Sequence, residues 1–165
     1  MTPELRPIAA QFALDTDLLL NATEGLDDRE ANRRVIAGVN PIAFLVAHLT
    51  DARHFLIRLV GHHSDNPLAA HLGNARTADD VLDLPPLERL REHWRDVSTR
   101  LAHVLEDVGP AELAAVAPTP FLAEDHTVLG ALTFLAQHDA YHLGQVAMLR
   151  RALGHPAMTY DRRHA

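Results

Sequence analysis

The sequence predicts an all-α protein built as a four-helix bundle, and three observations lead there. Four segments place apolar residues at the alternating three-and-four spacing of a helix that buries one stripe. Stretches rich in proline and glycine separate them, and one is long enough to cross the length of a bundle. At 165 residues, 47% apolar and 22% charged, the chain has the size and composition of one globular unit, so a single domain over residues 1–165 is expected.

The first helix is expected from near Pro7 to about Ala22, with Ile8, Phe12, Leu18 and Leu19 near one face. Gly25 and the Asp27-Asp28 pair interrupt it. Residues 26–39 are polar, contain Arg33, Arg34 and Gly38, and read as a connection with room for a short helical turn. The second long helix starts at Asn40-Pro41, where asparagine suits a cap of free backbone N–H groups and proline suits the first helical position. It runs to about Gly61, and Phe44, Leu45, Ala52, Phe55, Leu56 and Leu59 form its stripe, with His48 inside that stripe.

Between Gly61 and Pro86 lie His62, His63, Asn66, Pro67, Gly73, Asn74, Pro85 and Pro86, too many breakers for one regular element. A crossover of this length joins consecutive helices that run parallel. The third helix has the most regular seam, Leu87, Leu90, Trp94, Val97, Leu101, Val104 and Val108, and ends at Gly109-Pro110. Residues 110–126 again carry breakers, Pro118 and Pro120, with Phe121 expected to dock that loop on the core. The fourth helix spans about Thr127 to Leu153 and stops at Gly154.

Charge and composition exclude several function classes. Acidic residues outnumber basic ones by 22 to 15, the formal net charge is −7, and no dense basic run exists, so nucleic acid is not an expected partner. Every basic residue of those fifteen is arginine, a bias that points to no site. There are no cysteines, which excludes disulfides, thiolate ligands and a cysteine nucleophile, and any thiol chemistry must use a thiol brought by a ligand. The amino terminus lacks the pattern of a signal peptide and no apolar run approaches the ~18 residues of a membrane span, so a cytoplasmic protein without membrane association is expected.

Twelve histidines are the unusual feature. Only His138-Asp139-Ala140-Tyr141-His142 has i, i+4 spacing, and about one such pair arises by chance at this count. Location carries more weight: both rings continue the apolar stripe of Ala131, Phe134, Leu135 and Leu149. Residues four apart on a helix have Cβ atoms about 5–6 Å apart, so their imidazoles can reach one cation at about 2 Å. His48 is the candidate third ligand, being the histidine centred in the stripe of the second helix. His54, His93 and His103 fall off or at the margin of their seams, and His62, His63, His71, His126, His155 and His164 lie in loops or near the termini. Three ligands with open coordination positions suit a catalytic rather than a closed structural site. The bland alternative is that each core-facing histidine is simply bonded to a carbonyl or carboxylate.

The segment Phe134-Leu135-Ala136-Gln137-His138-Asp139-Ala140-Tyr141-His142-Leu143-Gly144-Gln145, continuing into Leu149-Arg150-Arg151-Ala152-Leu153-Gly154, resembles the last helix of DinB/YfiT-like proteins. Asn40-Pro41-Ile42-Ala43-Phe44-Leu45-Val46-Ala47-His48-Leu49 is similar to their second. The resemblance covers essentially the whole chain and is most specific at these two segments. It implies an up-down-down-up four-helix bundle with long crossover loops, a homodimer, and one divalent metal ion on His48, His138 and His142, with zinc or nickel as the ion. Ligand type alone admits zinc, nickel, iron or cobalt.

Gln145 matches a recurrent position of the family and is a candidate to orient a ligand or a water, or else a helix-packing glutamine. Asp51, one turn past His48, and Asp139 are candidate outer carboxylates that would fix a histidine tautomer. Arg150 and Arg151 read as favourable charges at the negative end of the last helix. Catalytic residues are not identified, and Tyr141 points about 100° away from His142 on the helix. The resemblance implies a metal-dependent transferase that activates a low-molecular-weight thiol, or water in a hydrolase, against a small electrophile. The other reading is a metal- or ligand-binding protein of stress physiology without turnover.

Overall fold

The computed structural model describes residues 1–161 apart from 76, 82, 120 and 122. Pro120 and His164 therefore lie outside the described residues. Those residues are all-α, with seven α-helices, one 3-10 turn and an isolated antiparallel bridge between Val116 and Thr127. The helices are α1 (Arg6–Thr23), α2 (Asp28–Ala31), α3 (Ile42–Leu59), α4 (Ala69–Leu72), α5 (Leu87–Asp107), α6 (Pro110–Ala114) and α7 (Val128–Ala152), with the 3-10 turn at Ala78–Asp80 between α4 and α5.

The four expected helices are α1, α3, α5 and α7. The short turn expected within residues 26–39 is α2, which Asp27 opens by accepting from Glu30 N while the Glu30 carboxylate accepts from Asp27 N. The start of α3 differs from the sequence reading. Pro41 occupies the cap position rather than the first helical one, and no side chain caps the helix. Asn40 Oδ1 instead accepts from Ala78 N at 3.0 Å, because the backbone of the 3-10 turn competes for the amide. The long connection 61–86 is not featureless, for it carries α4 and that turn, and Leu68 is fully buried in it.

Helix α7 begins at Thr127, whose hydroxyl accepts from Gly130 N, and ends before Gly154 at φ +96°, a conformation glycine adopts without strain. Gly130 has no room for a side chain, since a Cβ there would collide with the backbone carbonyl of Asp125. Gly130→Ala is expected to cost about 1–3 kcal/mol in chemical denaturation, as overpacking does where backbone must move. An unchanged unfolding midpoint would show that the loop before α7 yields freely.

Helices α1 and α3 each pack against both α5 and α7. The core forms two clusters. One takes Leu18 and Leu19 from α1, Leu45 and Leu49 from α3, Leu90 and Trp94 from α5, and Val146 and Leu149 from α7. The other takes Phe12, Leu56, Leu101 and Leu132 from the same four helices. Thus α1 and α7 meet the second cluster with their early turns and the first with their late ones, whereas α3 and α5 do the reverse.

Arg150 stands in the last turn of α7, as expected of a charge for its negative end, and does more than that. It is buried, and its guanidinium donates to the carbonyls of Ala22 and Glu24, satisfying the free C-terminal end of α1, and to the carbonyl of Pro156. No helix among the described residues is long and apolar enough to cross a membrane.

Candidate metal centre

Apolar stripes on α3 and α7 bring these helices face to face, and the histidines ride on their margins. His48 of α3 and His138 and His142 of α7 converge so that one nitrogen from each lies within 4.8 Å of the others. His48 Nε2 and His138 Nε2 stand 3.0 Å apart, and the three ring centroids are 4.5–4.9 Å from one another. All three residues are half-buried, so the site sits at the rim of the core rather than in its centre, as the stripe alone would have it.

Electrostatics favour uncharged rings at His48 and His142. Burial, then the proximity of His138 and His142, pushes the His48 imidazole down to about 4. Burial likewise lowers His142, against the raising effect of its bond to Gln145. Neutral imidazoles keep the lone pairs that a cation needs. The donor set fits one. Two nitrogens held at about 2.0–2.1 Å by one ion lie about 2.8–3.4 Å apart at octahedral or tetrahedral angles, a range that includes the 3.0 Å His48–His138 separation.

The surrounding candidates separate cleanly. Gln145 Oε1 lies 2.8 Å from His142 Nδ1, one turn along α7, so Nδ1–H donates to the amide oxygen and Nε2 keeps a free lone pair. Asp139 is 1% exposed, and its Oδ1 lies 3.8 Å from His138 Nδ1. That is too long for a hydrogen bond, and neither atom has a partner among the described residues. Asp51 is not brought to the triad, because its Oδ1 accepts from Asn66 Nδ2 at 2.6 Å and so ties α3 to the following loop. Tyr141 is exposed, with its ring edge-on to His142 at 5.1 Å.

Two buried groups escaped the sequence reading. His54 is buried and its Nδ1 lies 2.8 Å from Ser64 Oγ, away from the triad. Arg53 is 1% exposed. Its Nε donates to Asp139 Oδ2 at 3.1 Å, Nη1 to the hydroxyls of Thr16 and Ser98 at 2.6 Å, and Nη2 to the carbonyl of Phe12 at 2.9 Å, while the Trp94 ring lies 3.7 Å beneath the guanidinium. The signal was present: Arg53 falls on the line Leu45, Leu49, Arg53, Leu56, where an apolar residue is expected.

Comparison with known proteins adds one match. A family model described as the DinB superfamily fits residues 11–146, a span that contains all three histidines. No curated protein matches the chain.

Proposed function

The chain belongs to the DinB superfamily, and from that premise we propose that it is a metal-dependent transferase that activates a low-molecular-weight thiol against a small electrophile. The observation that carries this reading is the convergence of His48, His138 and His142, three imidazoles from two helices with nitrogens within 4.8 Å. Zinc or nickel is the proposed ion. A divalent cation with open positions lowers the pKa of a bound thiol or water near neutral pH.

The chain's own residues supply orientation and shape. Gln145 holds the His142 ring by its Nδ1–H. Half-buried Phe55, Phe121 and Phe134 pack on one another at 5.5–6.0 Å, one turn before His138 on α7 and two turns beyond His48 on α3. They give the triad an apolar flank for the carbon skeleton of an electrophile. With no cysteine in the sequence, the thiol has to be a cosubstrate.

The proposal extends to the whole molecule. Residues 1–165 are taken as one domain and α1, α3, α5 and α7 as an up-down-down-up bundle with long crossovers, supported by the order in which their turns enter the two core clusters. A homodimer in the cytoplasm, where thiols stay reduced, completes the reading.

Metal content of freshly purified protein, before any nickel step, identifies the ion. Metal-loaded protein offered several cellular thiols with a chloro- or epoxide-type electrophile should turn over, and His142→Ala should not. Turnover that survives in that variant rejects chemistry at the triad. One observation favours a second reading, a metal- or ligand-binding protein without turnover. Among the described residues, the one side chain hydrogen-bonded to the triad from outside is the Gln145 amide, which neither takes nor gives a proton at neutral pH. Metal binding without turnover on any thiol selects that reading.

A further inference from the structure

Two buried polar atoms face each other without partners, the Nδ1 of His138 and the Oδ1 of Asp139, 3.8 Å apart. A buried polar atom left unbonded costs free energy, so a second role for this pair of atoms is expected. We propose that Arg53 and Asp139 are positioning residues that hold His138 in the tautomer protonated at Nδ1, so that its Nε2 lone pair faces His48 and His142. This rests on the metal reading above and says how the protein's interior sets its affinity.

Arg53 is fixed by hydrogen-bonding groups from all three other long helices and by an aromatic ring: Thr16 and the Phe12 carbonyl on α1, Ser98 and Trp94 on α5, and Asp139 on α7. These bonds use four of its five N–H donors and leave the plane no freedom to rotate. Its Nε takes Asp139 Oδ2. The carboxylate, pinned by that one oxygen, turns the other toward His138 Nδ1. An ionised carboxylate only accepts hydrogen bonds, so it favours the ring form with N–H on that side.

The other nitrogen then keeps its lone pair, and it is the one that stands 3.0 Å from His48 Nε2. Gln145 does the same for His142 through its amide oxygen, from the opposite direction along α7. Both histidines of the His-x-x-x-His pair thus have their outer nitrogen assigned by an acceptor, one on the surface side and one from the core. Sequence position made Asp139 a candidate for this role, and Arg53, from another helix 86 residues away, is the group that pins it.

Asp139→Asn is the discriminating variant. An amide oxygen still accepts from Arg53 Nε, which leaves the amide N–H₂ pointing at His138 Nδ1 and favours the tautomer protonated at Nε2. Imidazole nitrogen shifts in metal-free protein read the tautomer, and zinc competition against a chelator reads the affinity. The expected result is Nδ1–H at His138 in the wild type, Nε2–H in Asp139→Asn, and zinc binding weakened about 10–100-fold, the usual effect of removing such an outer partner. Asp51→Asn, at a carboxylate held by Asn66 away from the triad, should leave zinc affinity within about twofold. Wild-type protein with Nε2–H at His138 overturns the proposal without any variant, as does unchanged zinc affinity in a folded Asp139→Asn. Wild-type protein that binds no zinc or nickel but shows the Nδ1–H tautomer, lost in Asp139→Asn, sinks the metal reading and upholds the positioning pair.

Discussion

Arg53→Ala is expected to lower the free energy of unfolding by about 3–5 kcal/mol, the cost of breaking a buried ion pair by removing one partner. The substitution strands the Asp139 carboxylate at 1% exposure and removes the donor shared by Thr16 and Ser98. It also leaves a void above Trp94, whose ring lies 3.7 Å from the guanidinium carbon. Chemical denaturation of the metal-free protein measures it. Asp139→Ala should cost a similar amount, and the double variant much less than the sum, since each single change already breaks the same pair. Additive losses, or a single loss below about 1 kcal/mol, would mean that solvent already reaches the pair. Replacing both residues by apolar ones of similar volume, Arg53→Met with Asp139→Leu, is expected to recover most of the stability, because an apolar pair needs no desolvation of charge.

In metal-free protein, acid is expected to remove about 3 kcal/mol of stability between pH 6.5 and 4. In the unfolded chain a histidine takes its proton near 6.5, whereas burial pushes His48 and His54 down to about 4 in the fold, with the guanidinium groups of Arg58 and Arg100 adding to the effect at His54. Across that window the unfolded state binds more protons, so stability is fully present above 6.5 and is lost as pH falls. Each histidine contributes up to about 3 kcal/mol at 1.36 kcal/mol per unit, less for His48 where solvent screens the ring. Asp15 acts in the opposite sense. Burial raises its carboxyl from 3.8 to about 6, so between those values the folded state binds the extra proton and acid stabilises it. One group thus offsets one of the two histidines. Urea midpoints at pH 7 and 4.5 in the presence of a chelator test the sum. Midpoints that do not move, or that rise in acid, would show that His48 and His54 titrate as they do in the unfolded chain.

Element by element, the long helices were legible because each buries one stripe against the others, and a period of 3.6 is a property of the local chain. Leu87, Leu90, Trp94, Val97, Leu101 and Val104 are all buried along α5. The triad was legible for the same reason, with two rings one turn apart on α7 and one within a stripe of α3. What failed did so where a distant group competed. Asn40 looked like a helix cap, and a backbone N–H 38 residues away took its amide. Asp51 looked like an outer carboxylate for His48, and Asn66 took it. Arg150, placed in the last turn of its own helix as expected, is held besides by the carbonyl end of α1.

The amino-acid order by itself determined the helical class, the span of each long helix and the identity of the three imidazoles, since all of these follow from spacing within single segments. Which polar residues lie inside, and what each one holds, was decided only by packing four helices together. Arg53 shows why: burying a guanidinium is tolerable only when Thr16, Ser98, Asp139 and the Phe12 carbonyl arrive from three other helices, and no local pattern encodes that meeting.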